Sequence, residues 1–143
     1  MIMPKGDVPV AFHDLLESRA FAFVSTLGKR GEPQVNPVWY LWDGAHIKIS
    51  LMDGKQKYLN LQRDGRIAIA FAHPSNPYRY LEVRGRVTSI DPDVDDAVFG
   101  AISTKYTGSP FSLEGEGIRR YVATVTVERH TFQEPVDIPE PEK

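Results

Sequence analysis

Apolar and polar residues alternate along this chain with two periods, and the switches between them divide it into elements. Val8 to Ser18 carries Phe12, Leu15 and Leu16 at helical spacing, with Pro9 near its start, where a missing N–H costs little. Ala20 to Leu27 is apolar and predicts a buried strand, closed by a turn at Gly28 to Gly31. Gln34 to Trp42 and Ala45 to Leu51 flank Asp43-Gly44, which predicts a hairpin with a two-residue type I′ turn. In the second of these strands Ile47, Ile49 and Leu51 alternate with His46, Lys48 and Ser50, so one face meets a core.

Lys55 to Asp64 reads as a short helix after the Asp53-Gly54 turn. Arg66 to Ala72 is apolar on both faces and predicts a central strand, followed by a loop at His73 to Pro77 with its two prolines. Tyr78 to Ile90 predicts a long strand bent at Gly85. Asp91 and Pro92 supply an N-cap and first position for a third helix, with Val94, Val98, Ala101 and Ile102 as its apolar stripe and Gly108 as its terminator. A glycine-rich loop runs from Gly108 to Gly117, Arg120 to Arg129 forms the last strand, and the residues after Phe132 read as a loose tail. Six strands with three interposed helices predict an antiparallel-dominated α+β or β-barrel fold, in one domain (1–132) with a tail (133–143). The lack of regular βα alternation and of a GxGxxG or Walker pattern argues against a Rossmann sheet.

Composition narrows the chemistry. At 143 residues there is room for one core but not for separate cofactor and substrate domains. A net charge of −2 argues against a general nucleic-acid binder. With no cysteine, disulfides, thiolate metal sites and cysteine nucleophiles drop out. No apolar run approaches membrane-spanning length and the first residues lack a signal core, so the expected location is the cytoplasm. The four histidines show no HxH or HExxH spacing, so no metal site is expected. Ser25 and Ser50 lack a GxSxG setting for hydrolysis.

One anomaly points to a ligand. Lys55 and Lys57 stand at the start of a helix, where the backbone dipole is already positive and each lysine is disfavoured by roughly 0.3–1 kcal/mol. A bound phosphate reverses that sign, because helix N–H groups and ammonium groups then converge on one anion. Two solvated lysines on a polar face fit the same spacing, and from spacing alone both readings stand. Likewise, the Trp39, Tyr40 and Trp42 cluster suits either a core or the wall of a planar ligand's pocket. In Tyr78 to Arg86, Leu81 and Val83 face a core, while Tyr80 and Glu82 face a ligand, a partner chain or solvent.

Three stretches together resemble the flavin- and deazaflavin-binding split β-barrel family founded on pyridoxamine 5′-phosphate oxidase, and most of all its F420-dependent reductase branch. They are Phe23 to Leu27 through Gly31 to Tyr40, Lys55 to Arg66, and Tyr78 to Gly85, within a likeness running from about Phe12 to Arg129. The resemblance implies a homodimeric split barrel of about six mostly antiparallel strands. It implies that Lys57, assisted by Lys55, holds the cofactor phosphate. Asn36, Pro37 and Val38 would then back the tricyclic ring, Ser50 would lie near the ribityl chain, and Asn60 would belong to the same cofactor site. Tyr78, Arg79 and Tyr80 would approach from the second subunit, with Tyr78 and Tyr80 as candidate proton donors. Gly65 stands where the family usually has proline, and Arg79-Tyr80 replaces the oxidase's arginine-glutamine pair, which tells against pyridoxamine phosphate oxidation.

The function so implied is an F420-dependent oxidoreductase passing hydride to an unsaturated or conjugated small molecule, with no nucleic-acid or membrane partner. FMN is the alternative cofactor, and a non-catalytic cofactor or haem carrier is the alternative of another class. An anionic glutamyl tail on the deazaflavin would favour further basic residues at the groove mouth, such as Lys48 or Arg63. Phe111 and Leu113 are candidates for closing over a substrate.

Overall fold

In a computed structural model, residues 8–110 and 117–134 are described. Helix α1 (His13–Glu17) follows a 3₁₀ turn at Val10–Phe12. Then come β1 (Ala22–Leu27), β2 (Pro33–Val38), β3 (Leu41–Trp42), β4 (Ile47–Met52), α2 (Gln56–Arg63), β5 (Arg66–Ala72) and β6 (Tyr80–Pro92). Helix α3 (Ala97–Thr107) and β7 (Arg120–Gln133) complete the order. The strands form a single antiparallel sheet in the order β2-β1-β5-β6-β7-β4-β3, curled but not closed, with β2 and β3 as its edges. This is the split barrel expected from the sequence, with seven strands rather than six.

Strand alternation builds the core. Ala22 and Val24 of β1, Ile47, Ile49 and Leu51 of β4, Ile67, Ile69 and Phe71 of β5, Leu81 and Val83 of β6, and Val125 of β7 are buried together. Phe12, Leu15 and Leu16 plug one end, and Tyr58 and Leu61 of α2 close another. Tyr40 is fully buried and donates its hydroxyl to the Leu16 carbonyl at 2.9 Å, and burial pushes its phenol well above the ordinary range.

The opposite face of the sheet is open. Paired residues share a face, so Pro37, Phe23, Ala70, Glu82 and Thr131 form one row across it. A second row is Val35, Ser25, Ala68, Arg84 and Arg129. Small residues in the middle leave a shallow trough, flanked by Phe23 (44% exposed) and Val35 (62%).

Three local expectations are corrected. The apolar run 34–42 is not one strand: it breaks between Val38 and Leu41, so that Tyr40 turns into the core. The hairpin turn is centred on Gly44 and Ala45 rather than Asp43 and Gly44. Asp43 and His46 close it through Asp43 N–H to His46 O (3.2 Å), and Gly44 alone takes positive φ (+95°), so it is not type I′. The third helix does not begin at Asp91, because β6 continues to Pro92, paired with Tyr121 of β7. The N-cap position of α3 is Asp96, whose side chain caps nothing. The capping bonds come from Asp93, before the 3₁₀ turn, whose carboxylate accepts the Val98 and Phe99 N–H groups at 3.0 and 2.9 Å.

Two other expectations hold. Gly108 terminates α3 at φ +89°. The bend at Gly85 is a β-bulge, where a Cβ would overlap the Thr126 carbonyl oxygen. Edge strand β2 carries two prolines, Pro33 and Pro37. The loop candidates Phe111 and Leu113, and the tail from Pro135 onward, lie outside the described residues.

Candidate cofactor site

Beyond Met52 the chain turns at Asp53-Gly54, with Gly54 at φ +77°, and enters α2 through Lys55. Lys55 occupies the N-cap with an extended backbone (φ −77°, ψ 157°) and no side-chain cap, and no acidic residue stands in the first turn. The amide donors of that turn are therefore left without a side-chain acceptor. Tyr58 and Leu61 anchor the helix in the core.

Asn60, fully buried, ties the helix to the first hairpin. It accepts from Gln56 Nε2 (2.7 Å) and Arg63 (3.1 Å), and donates to Thr26 Oγ1 (3.0 Å) and Gln34 Oε1 (3.1 Å). All its polar capacity is spent inside the protein, so its part in the site is to fix α2 in place.

That anchoring leaves Lys57 half-buried on the flank of the first turn. Desolvation holds its ammonium below the ordinary lysine range of about 10.5, and no carboxylate among the described residues lies within ion-pair distance. Lys55 is exposed and lines an open groove of about 470 Å³ with Met52, Asp53, Gly117, Ile118 and Arg119. On β4, the strand leading into this turn, the Ser50 hydroxyl is buried with no hydrogen-bond partner among the described residues. An uncapped helix start, an ammonium drawn out of water without a counter-ion and an orphaned hydroxyl fit a phosphate-bearing cofactor.

The other expected residues lie elsewhere on the chain. Asn36 and Val38 are half-buried on one face of β2 and Pro37 points to the other. Pro37 and Val38 line an apolar hollow with Phe21, Phe23 and Trp39. Tyr78 is 51% and Tyr80 38% exposed. Between them, Arg79 forms a two-pronged pair with Asp14 (2.9 and 3.0 Å), bonds the Ala11 carbonyl (2.9 Å) and covers the Phe12 ring. The Arg79 guanidinium holds the Asp14 carboxyl below its usual range, and the arrangement pins α1 to the start of β6.

Tyr80 pairs with Gln133 at one end of β7, whereas Met52, just before the lysines, pairs with Arg120 at the other. Thirteen residues of strand, on the order of 40 Å of chain path, separate the two ends. Lys48 and Arg63 are both engaged: Lys48 lies 3.8 Å from Asp43, and Arg63 bonds the Leu27 carbonyl and Asn60. Sequence reasoning missed Arg119, because the glycine-rich stretch before β7 hides its register against the end of β4. It also missed the near-parallel rings of Phe21, Tyr106 and Trp39, which come from three separate stretches of chain.

An open antiparallel barrel with a cationic, uncapped helix start at its rim defines a small split-barrel protein of the flavin-binding class. Within that class the chain belongs to the pyridoxamine 5′-phosphate oxidase family, whose model matches residues 9–133. It is similar to a solved F420 reductase at 32% identity and a TM-score of 0.80, over 87% of this chain and 98% of that one. It also shares its fold with a conserved hypothetical protein of Mycobacterium tuberculosis, at 20% identity and TM-score 0.72 over 94% of each chain. General stress protein 26 of Bacillus anthracis shares it too, at 10% identity and TM-score 0.65 over 87% and 92% of the two chains. No curated protein sequence matches the chain. Among the described residues no helix is long and apolar enough to cross a membrane.

Proposed function

We propose that this protein is a homodimeric oxidoreductase that passes hydride between the deazaflavin F420 and an unsaturated or conjugated small molecule. The observation that carries the reading is Lys57, an ammonium half-removed from water at a helix start with no carboxylate partner among the described residues. The 32% identity to an F420 reductase favours the deazaflavin over other phosphate-bearing cofactors.

Lys57 and Lys55 take the phosphate together with the free N–H groups of α2, and Ser50 supplies a hydroxyl toward the chain that follows. Asn36, Pro37 and Val38 back the ring. When bound, the deazaflavin supplies hydride from a ring carbon and reacts poorly with oxygen. The protein's part is to hold the substrate within reach of that ring, exclude water and deliver a proton, from the hydroxyl of Tyr78 or Tyr80 or from solvent. Because those tyrosines lie at the far end of β7 from Lys57, they serve the site of a second copy, and Arg79 positions them through its clamp on Asp14.

Titration of the apo-protein with reduced F420, FMN and haem, followed by fluorescence and visible absorption, tests the reading. Tight binding of F420, with hydride transfer to an activated alkene, is the expected result. FMN preferred over F420 would move the protein to flavin chemistry, and binding of haem alone would remove the redox-enzyme reading.

A further inference from the structure

Where β2 breaks off, the last turn of α3 brings a phenol against two other rings. The ring of Tyr106 lies within 6° of parallel to Trp39 at 5.0 Å and to Phe21 at 6.1 Å. Its hydroxyl donates to the Ala20 carbonyl at 2.6 Å. Two stacking faces and one carbonyl acceptor make a seat for a hydroxylated ring, and the chain fills it with its own tyrosine. Phe21 and Trp39 also wall the neighbouring hollow of about 530 Å³, together with Phe23, Pro37 and Val38. None of these five carries a charge, so a flat ligand larger than one ring would run from the seat into an uncharged cavity. The tyrosine is lightly held. Phe99 and Ile102 bury the head and middle of α3, whereas its last turn ends at Gly108 with φ +89°. Among the described residues no backbone hydrogen bond ties that turn to the sheet. Side chains fasten it instead: Lys105 reaches the Leu16 and Tyr40 carbonyls at 3.4 and 3.3 Å, and Arg19 reaches the Lys105 carbonyl at 3.1 Å. Lys105 lies 3.7 Å over the Tyr40 ring, and burial pulls its ammonium down to about 8, so the seated arrangement costs this cation part of its water. Releasing the turn returns that water.

We infer that the Tyr106 seat is a ligand site for a flat, uncharged phenol, with Tyr106 as a built-in plug that yields to it. The ligand's O–H takes over the Ala20 carbonyl, its first ring takes over the stacking on Trp39 and Phe21, and further fused rings lie in the hollow. A ligand of the same shape without that O–H displaces a hydrogen bond it does not replace. Affinity is set below what these contacts alone would give, because the free protein is mostly plugged and only the unplugged fraction binds. The site goes beyond the cofactor reading and does not rest on it, since every group that forms it belongs to this chain.

The experiment uses the full chain without cofactor, with naphthol and its methyl ether as probes in isothermal titration. Naphthol should bind about fivefold more tightly than the ether, the worth of one neutral hydrogen bond. Tyr106→Phe keeps the plug's ring but drops its bond to Ala20, so both probes should tighten by about threefold with their preference kept. In magnetic resonance the ring signals of Tyr106, displaced by the currents of its two neighbours, should move toward those of an exposed tyrosine as naphthol is added. Thermal melts check that the variant folds. No binding of naphthol, equal binding of the two probes, a Tyr106 signal unmoved at saturation, or an unaltered affinity in Tyr106→Phe would each overturn the inference. F420 is titrated separately, and its failure to bind would bring down the proposed function while leaving this site in place.

Discussion

A lysine ammonium drawn half out of water either releases its proton more readily or finds an anion, and in the unliganded chain Lys57 does the first. The sign follows directly. As pH rises through that lowered value the ammonium is lost before an ordinary lysine's would be, so affinity for a phosphate-bearing ligand falls with alkalinity. Measured between pH 7 and 10, the Kd for FMN or F420 should climb in the wild type and stay nearly flat in Lys57→Arg, whose charge persists. Superimposable profiles would detach Lys57 from the anion. Lys57→Ala should weaken cofactor binding by roughly 1.5–3 kcal/mol, the worth of a charge-assisted bond, as read by isothermal titration. An unchanged constant contradicts its role. This residue was legible in the sequence because a local rule, no cations at a helix start, was broken in plain view. Arg79 was not: its partner Asp14 lies 65 residues away, and nothing in the Tyr78–Tyr80 stretch announces a clamp. Arg119 was hidden for the same reason, since its neighbour Lys55 is close only after β4 and β7 have paired.

Among the elements, strand periodicity was readable except across 34–42, where two strands were read as one, and β5 has the bounds the pattern predicts. Element ends were less so. The Asp91-Pro92 pair has the composition of a helix start, yet pairing with β7 holds it in a strand, and the capping falls to Asp93 two residues on. Asp93→Ala removes both bonds at the head of α3 and should cost about 1–2 kcal/mol in urea denaturation; a smaller loss than an exposed alanine substitution gives would mean that α3 is held by packing alone. Asn60→Ala is expected to do more than destabilise. It frees four partners, leaves Thr26 and Gln34 unpaired and unpins α2, so about 1–3 kcal/mol of stability and a measurable share of cofactor affinity should go together. A variant that loses stability and keeps full affinity would show that Lys57 does not depend on this tie.

For the molecule as a whole, the family and the open barrel were legible from three spaced motifs, whereas the proposed second copy rests on topology. Lys57 and Tyr80 sit at opposite ends of the pairing along β7, and the open face carrying Phe23 and Val35 is apolar toward β2 and charged toward β6 and β7. Phe23→Glu on that face should split a dimer in sedimentation and lose the cofactor with it, and a monomer binding at full strength would refute a shared site. The rim of the sheet decides how two copies can meet. Gly28 N–H bonds Glu32 O, so the even-numbered residues of β2 turn their backbone groups toward β1 and the odd-numbered ones turn theirs outward. Two of the three outward positions are Pro33 and Pro37, leaving Val35 with the one free amide donor. With a single donor along this border, β2 is a poor template for a neighbouring strand, so a second copy would have to meet the chain elsewhere than by strand addition at β2.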